Sequence, residues 1–326
     1  MSERDSSPGL AGRTARQLRS KLHTDVHEKL DEQKVSISDL KQGLVALQDQ
    51  IAHLHARLDS VETDARRAAE IGRHAYDEEP ANRRRLKELR LSEEYELAFT
   101  EAEPLVSFIV PTYDSYETLR DVALPSILGQ DYSNLEVIVS GDCAPPETEQ
   151  AIAEVGDPRV TYINRTIRGP YPEEQSRRWY GIGVPPHNDA LGLVSGRWIA
   201  ALGDDDAIRP NHTSDLLVAA KENRWEHCYG LQQVNFVEGG PITLGRFPPA
   251  LGQWGPQAAL YLAGLRFIEG ELSDAIYEEP SDWSKCRRMV RAGVRFGMID
   301  EIVVDKNETR RRSAREWEEG SVPTAD

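Results

Sequence analysis

Cysteine is scarce in this chain, and long apolar runs are absent. Three cysteines, Cys143, Cys228 and Cys286, are scattered over 326 residues with no C-x-x-C spacing. That argues against a disulfide framework and a thiolate zinc site, and makes a reducing compartment the expectation. No apolar stretch reaches 18 residues, so no transmembrane helix is expected. Residues 1–19 lack an apolar core and do not read as a signal peptide. Positive charge is also short: 39 Lys and Arg stand against 55 Asp and Glu, a net charge of -16. Such a surface repels polyanions, so nucleic acid is not an expected partner. It also makes a bare diphosphate a poor ligand unless a cation bridges the two.

What is present begins with a heptad pattern. Ile37, Leu40, Leu44, Leu47, Ile51, Leu54, Leu58 and Val61 recur at alternating steps of three and four. Val26 and Leu30 extend the pattern on one side, Ala65 and Ala68 on the other. A two-in-seven stripe is narrower than a globular helix needs, and it predicts a coiled coil over 18–72 and a homo-oligomer built through it. Residues 1–17, rich in Ser, Arg and Gly, are expected to be disordered. Residues 73–103 are heavily charged and read as a linker with a short helix near 82–99. Their run Arg83-Arg84-Arg85 is either a solvated helix face or a contact with lipid headgroups. A cytoplasmic protein is expected, with peripheral contact to the inner face of a membrane as a further option.

From Pro104 the composition turns globular. Apolar runs at 106–110, 135–139, 160–163 and 198–202 read as strands, and 116–130 and 210–223 as helices, the first with Pro125 in its middle. This alternation predicts an α/β domain over 104–305 with a mostly parallel sheet and ligands at the carboxyl ends of strands. The Pro- and Gly-rich stretch 164–190 reads as a loop with a short helix, and 306–326 as a charged tail. The run 198–202 leads through Gly203 into Asp204, Asp205 and Asp206. Carboxylates crowded at one strand end raise each other's pKa unless a cation intervenes. A hard divalent ion, Mg2+ or Mn2+, prefers such oxygens. The other reading of the triplet is a solvated turn that caps the next helix. The loop after the first strand, Thr112-Tyr113-Asp114-Ser115-Tyr116, has neither Gly nor Lys, which argues against the basic phosphate loop of nucleotidyl transfer.

Four blocks, in this order, resemble the family 2 glycosyltransferases. They are the strand 106–110 with Pro111-Thr112-Tyr113, the strand 136–140 with Gly141-Asp142, the segment 196–206 with Pro210, and Ser281-Asp282-Trp283 followed by 292–296. The resemblance covers roughly 104–305. It implies a GT-A fold and an inverting transfer of a sugar from a nucleotide-diphosphate donor, with Mg2+ or Mn2+ as cofactor. Pro111, Thr112 and Tyr113 would face the nucleobase. Asp142 would accept from a pyrimidine N–H or a ribose hydroxyl, which favours a UDP- or dTDP-type donor. Asn188 would hold the ribose side or cap a helix. Asp205 and Asp206 would take the metal, with Asp204 reaching ribose or the metal. Asp282 would be the general base, with Asp274 and Glu271 as second choices. Trp254, Trp283 and Tyr277 would stack on an acceptor sugar or belong to the core, and Arg310-Arg311-Arg312 would fold over the diphosphate or form a solvated tail. The acceptor would be a hydroxyl of a glycan, a lipid-linked saccharide or a small molecule. The chain departs from the family pattern at Gly141, His187, Gly203 and Ser281, where the family commonly has an acid, an Arg, an acid and a Glu. Those departures keep a second reading in view, a catalytically idle GT-A-like domain serving as a coiled-coil scaffold.

Overall fold

The structure, a computed structural model, describes residues 10–73, 76, 78–235, 240–273 and 279–307. The contacts divide the chain into two units, 1–66 and 67–326. The first is helical. Helix α1 (Leu10–Arg73) is 64 residues long and starts inside the stretch expected to be disordered. Its heptad residues are exposed, Ile37 at 53%, Leu47 at 56% and Leu58 at 63%. A single helix stands where a coiled coil was expected; the second strand of a coiled coil would be another chain. Among the described residues no helix is long and apolar enough to cross a membrane.

The second unit begins with a correction. The charged stretch 73–103 is not a linker. Helices α2 (Glu79–Leu89) and α3 (Glu93–Thr100) dock on the sheet domain, with Leu86, Tyr95, Ala98 and Phe99 in its core. Ser92 caps α3 by accepting from Tyr95 N–H at 3.2 Å, and Glu93, Glu94 and Glu96 suit its first turn. Phe99 meets Trp198 edge-on at 5.6 Å, and Trp198 Nε1 donates to the Ala98 carbonyl at 3.0 Å. The anchor is Glu226, fully buried. It accepts from Arg90 at 2.6 and 2.8 Å, from the Tyr95 hydroxyl at 2.9 Å and from Arg295 N–H at 2.8 Å. Burial alone would push its carboxyl up. Arg90 first, then the Arg295 amide and Tyr95, outweigh burial and hold it below the usual carboxylate range. Part of the basic run is engaged on the domain: Arg83 donates to the Arg291 carbonyl at 3.2 Å, and Arg85 lies over Phe267.

The sheet order is β3-β2-β1-β4-β8-β6-β9-β5, with β7 (Ile242–Leu244) on β6. Strands β1 (Val106–Thr112), β2 (Leu135–Gly141), β3 (Val160–Asn164) and β4 (Trp198–Ala201) pair in parallel. They come from the runs the sequence shows, and β1 and β2 are almost wholly buried, as expected of strands covered on both faces. The other half is mixed. Strand β8 (Ala259–Leu262) runs antiparallel between β4 and β6 (His227–Asn235), and β6 pairs in parallel with β9 (Phe296–Asn307). The short β5 (Ala207–Ile208) pairs antiparallel with β9. The helix expected over 116–130 is three segments: α4 (Tyr116–Thr118), a π turn at Leu119–Ala123, and α5 (Leu124–Leu128). Pro125 has no N–H to give, and the backbone turns wide just ahead of it. Helices α6 (Pro146–Val155), α7 (Gln175–Gly181), α8 (Val184–Leu191), α9 (His212–Asn223) and α10 (Ser281–Ala292) complete the unit.

Candidate active site

The carboxyl ends of β1, β2 and β4 present Thr112, Asp142 and the Asp204–206 turn side by side. Thr112 Oγ1 donates to Asp204 Oδ2 at 2.7 Å, tying the first strand end to the triplet. Burial raises the Asp204 carboxyl to about 6; Thr112 opposes the rise and the Asp205 charge adds to it. Asp206 is 4% exposed and accepts from Gln257 Nε2 at 2.9 Å. Gln257 is itself held through its carbonyl by His212 Nε2 at 3.0 Å. Asp205 is exposed.

A Cβ on Gly203 would meet Asp205 Oδ1 and Asp206 Oδ2, each at 3.1 Å. Both oxygens therefore face the glycine, in space a side chain would fill. Carboxylate oxygens are the ligands a hard divalent cation takes. Among the described residues no third His, Cys, Asp or Glu joins them. Phosphate and water oxygens would have to complete the shell.

Asp142 is 4% exposed and already surrounded. It accepts from Gly169 N–H at 2.9 Å and pairs with Arg165 at 3.5 Å and Arg168 at 3.7 Å. The Arg168 guanidinium lies 3.5 Å from the centre of the Tyr113 ring, the face expected to meet a nucleobase. Pro111 contacts the next helix: a Cβ on Gly183, at the start of α8, would sit 3.8 Å from its Cβ. Asn188 clamps Gly270, donating to its carbonyl at 2.9 Å and accepting from its N–H at 3.1 Å. Both ends of that amide are thus engaged within the protein.

Asp282 is exposed in the first turn of α10 and accepts from Trp283 N–H at 2.6 Å. The surrounding protein raises its carboxyl pKa; the Trp283 amide and the Lys306 charge oppose the rise. Lys306 follows Asp305, the pairing partner of Ala207, near the end of β9. Trp254 and Trp283 approach with ring centroids 6.4 Å apart. Glu271 is committed to Arg73, Arg288 and Ser273. Asp274, Tyr277 and Arg310-Arg311-Arg312 lie outside the described residues. Gln257, Arg168, Lys285 and Lys306 escaped sequence reasoning. Only Lys285 left a signal, a three-residue step from Asp282 on one helix face.

An α/β sheet whose parallel half ends in carboxylates places these groups where open sheets of this kind take their ligands. Residues 107–171 match the family model Glycosyl transferase family 2. The succinoglycan biosynthesis protein ExoO of Rhizobium meliloti is 34% identical over 119 residues, 36% of this chain and 30% of that one. The GalNAc(5)-diNAcBac-PP-undecaprenol beta-1,3-glucosyltransferase of Campylobacter jejuni is 30% identical over 131 residues, 39% of this chain and 38% of the relative. The aligned part thus spans well under half the length of these relatives. The solved structure of S. aureus TarS 1-349 superposes with a TM-score of 0.50 at 18% identity, over 62% of this chain and 60% of that one. Residues 107–171 thus resemble the family 2 glycosyltransferases, and the mixed sheet resembles the GT-A fold.

Proposed function

We propose that this chain is a metal-dependent, inverting glycosyltransferase that moves a sugar from a nucleotide diphosphate to an acceptor hydroxyl. The observation that supports the reading is that Thr112, Asp142 and the Asp204–206 turn share the carboxyl ends of β1, β2 and β4, with the Asp205 and Asp206 oxygens facing Gly203. Asp282 takes the proton of the acceptor hydroxyl as its oxygen attacks the anomeric carbon. The bond to the diphosphate breaks on the opposite face, and the proton remains on Asp282. Asp205 and Asp206 would hold Mg2+ or Mn2+, which when bound offsets charge on the departing diphosphate. Asp142 and the Tyr113 face receive the nucleobase. A carboxylate that accepts from a ring N–H favours a UDP- or dTDP-type donor. Trp254 and Trp283 offer flat faces to an acceptor sugar near the base. The names of the two relatives support a glycan or lipid-linked acceptor. Self-association through 18–72 would hold several sites near one polymeric acceptor.

Thermal unfolding against UDP, dTDP, GDP and CDP, each with and without Mn2+, tests the reading. A ligand of the folded state raises the midpoint by mass action. The expected outcome is a metal-dependent rise with UDP or dTDP. No rise with any of the four would favour the idle scaffold.

A further inference from the structure

One turn beyond Asp282, helix α10 buries a cation. Lys285 is 8% exposed. Its ammonium reaches His187 Nε2 at 3.2 Å and the Tyr261 hydroxyl at 3.1 Å. His187 comes from α8 and Tyr261 from β8, so three elements meet at this nitrogen. Neither partner brings negative charge. Among the described residues no carboxylate lies within 4.0 Å of it.

The groups facing Lys285 are few and can be named. Arg288, one turn further along α10, works against its charge, and Glu269 favours it from a distance. Burial, with Arg288 adding, lowers the Lys285 pKa to about 7. Burial and the Lys285 charge hold His187 neutral, well below its ordinary value. His227 on β6 is stacked 5.8 Å from Tyr261, and the same two causes lower it to about 3. An ammonium has three donors, and two are used here. A buried ammonium with no counter-ion is costly, and the cost falls when an anion meets it.

The location matters as much as the charge. Lys285 lies three residues after Asp282 on α10. His187 belongs to α8, which packs on β1. The ammonium thus joins the helix of the candidate base to the helix on the donor strand.

We propose that Lys285, backed by His187 and Tyr261, is the contact for a phosphate oxyanion of the substrate. The identity of that substrate rests on the glycosyltransferase reading. The oxyanion belongs either to the donor diphosphate or to the phosphate of a lipid-linked acceptor. Binding raises the affinity of Lys285 for its proton, so the protein takes up a proton from solvent at slightly alkaline pH. Asp204, near 6, is ionised there and adds nothing to the count.

Titration calorimetry of the full chain at pH 8 with Mg2+, in two buffers of different ionisation enthalpy, reads this uptake. The probes are UDP, uridine, inorganic pyrophosphate and farnesyl diphosphate. The wild type should take up most of one proton with a phosphate-bearing probe and none with uridine. Lys285→Met should lose the uptake and about tenfold or more in affinity. Lys285→Arg should keep affinity without uptake, because a guanidinium stays charged. Uptake with UDP and not farnesyl diphosphate assigns the oxyanion to the donor; the reverse assigns it to the acceptor. Uptake with pyrophosphate or farnesyl diphosphate but no nucleotide binding would sink the donor reading and leave Lys285 standing. Equal affinity and equal proton count in folded Lys285→Met, or no uptake by the wild type with any probe, overturns the proposal. Circular dichroism of both variants excludes misfolding as the cause.

Discussion

A general base must reach the hydroxyl it deprotonates, and Asp282 is open to solvent in the first turn of α10. Asp282→Asn should lower kcat by about a hundredfold or more, with donor affinity unchanged. Asp206→Ala should instead abolish the metal-dependent part of nucleotide binding, read as the Mn2+-dependent rise in unfolding midpoint. An equal loss of nucleotide binding in both variants would remove the division of labour argued for them. These acids were legible in the sequence because each follows a strand end or opens a helix, within a block a few residues long. Gln257 and Lys306 were not. Gln257 acquires its role by meeting Asp206 across 51 residues, and Lys306 acts on Asp282 only as a charge from a distant part of the chain. Neither contact leaves a trace in local composition. Gly203 read as a lost acid, yet in the fold it leaves a space that the oxygens of two acids face.

At the scale of elements, the stretch 73–103 shows how composition misleads. Its charges suggested a linker, but Leu86, Tyr95, Ala98 and Phe99 are enough to bury one side of α2 and α3. Glu226 then fastens both to the strand β6 and to Arg295. Glu226→Gln leaves Arg90 facing a neutral amide and should cost about 3 kcal/mol or more of stability. Urea unfolding measures it, and a loss below 1 kcal/mol would mean that the fork contributes little. The parallel half of the sheet was readable because its strands are continuous apolar runs. Strands β6 and β9 were not, since polar residues interrupt their apolar ones. For α1, Leu47→Asp should lower the mass seen by light scattering if the exposed stripe meets a second copy. An unchanged mass would argue against self-association through 18–72.

At the scale of the molecule, acid should weaken the fold through its buried imidazoles. His227 is lowered to about 3 by burial and the Lys285 charge, and His212 to about 4 by burial, against an unfolded value near 6.5. Below pH 6.5 the unfolded chain binds protons that these folded residues refuse, so stability falls as pH drops toward 4. Asp204, raised to about 6, works in the opposite direction. Comparing the wild type with His227→Phe cancels that share. The variant should lose less stability per pH unit between 6 and 4, by about 1.4 kcal/mol. Parallel midpoint curves for the two proteins would show that His227 titrates as it does in the unfolded chain.

The surroundings of Asp142 have a consequence for selectivity. Gly169, Arg165 and Arg168 already satisfy that carboxylate, and Arg168 lies flat on Tyr113. Any ligand that takes Asp142 must dismantle these contacts first. Association there is a substitution rather than an addition. The discrimination between bases is set by how each compares with a planar cation supplied by the chain itself.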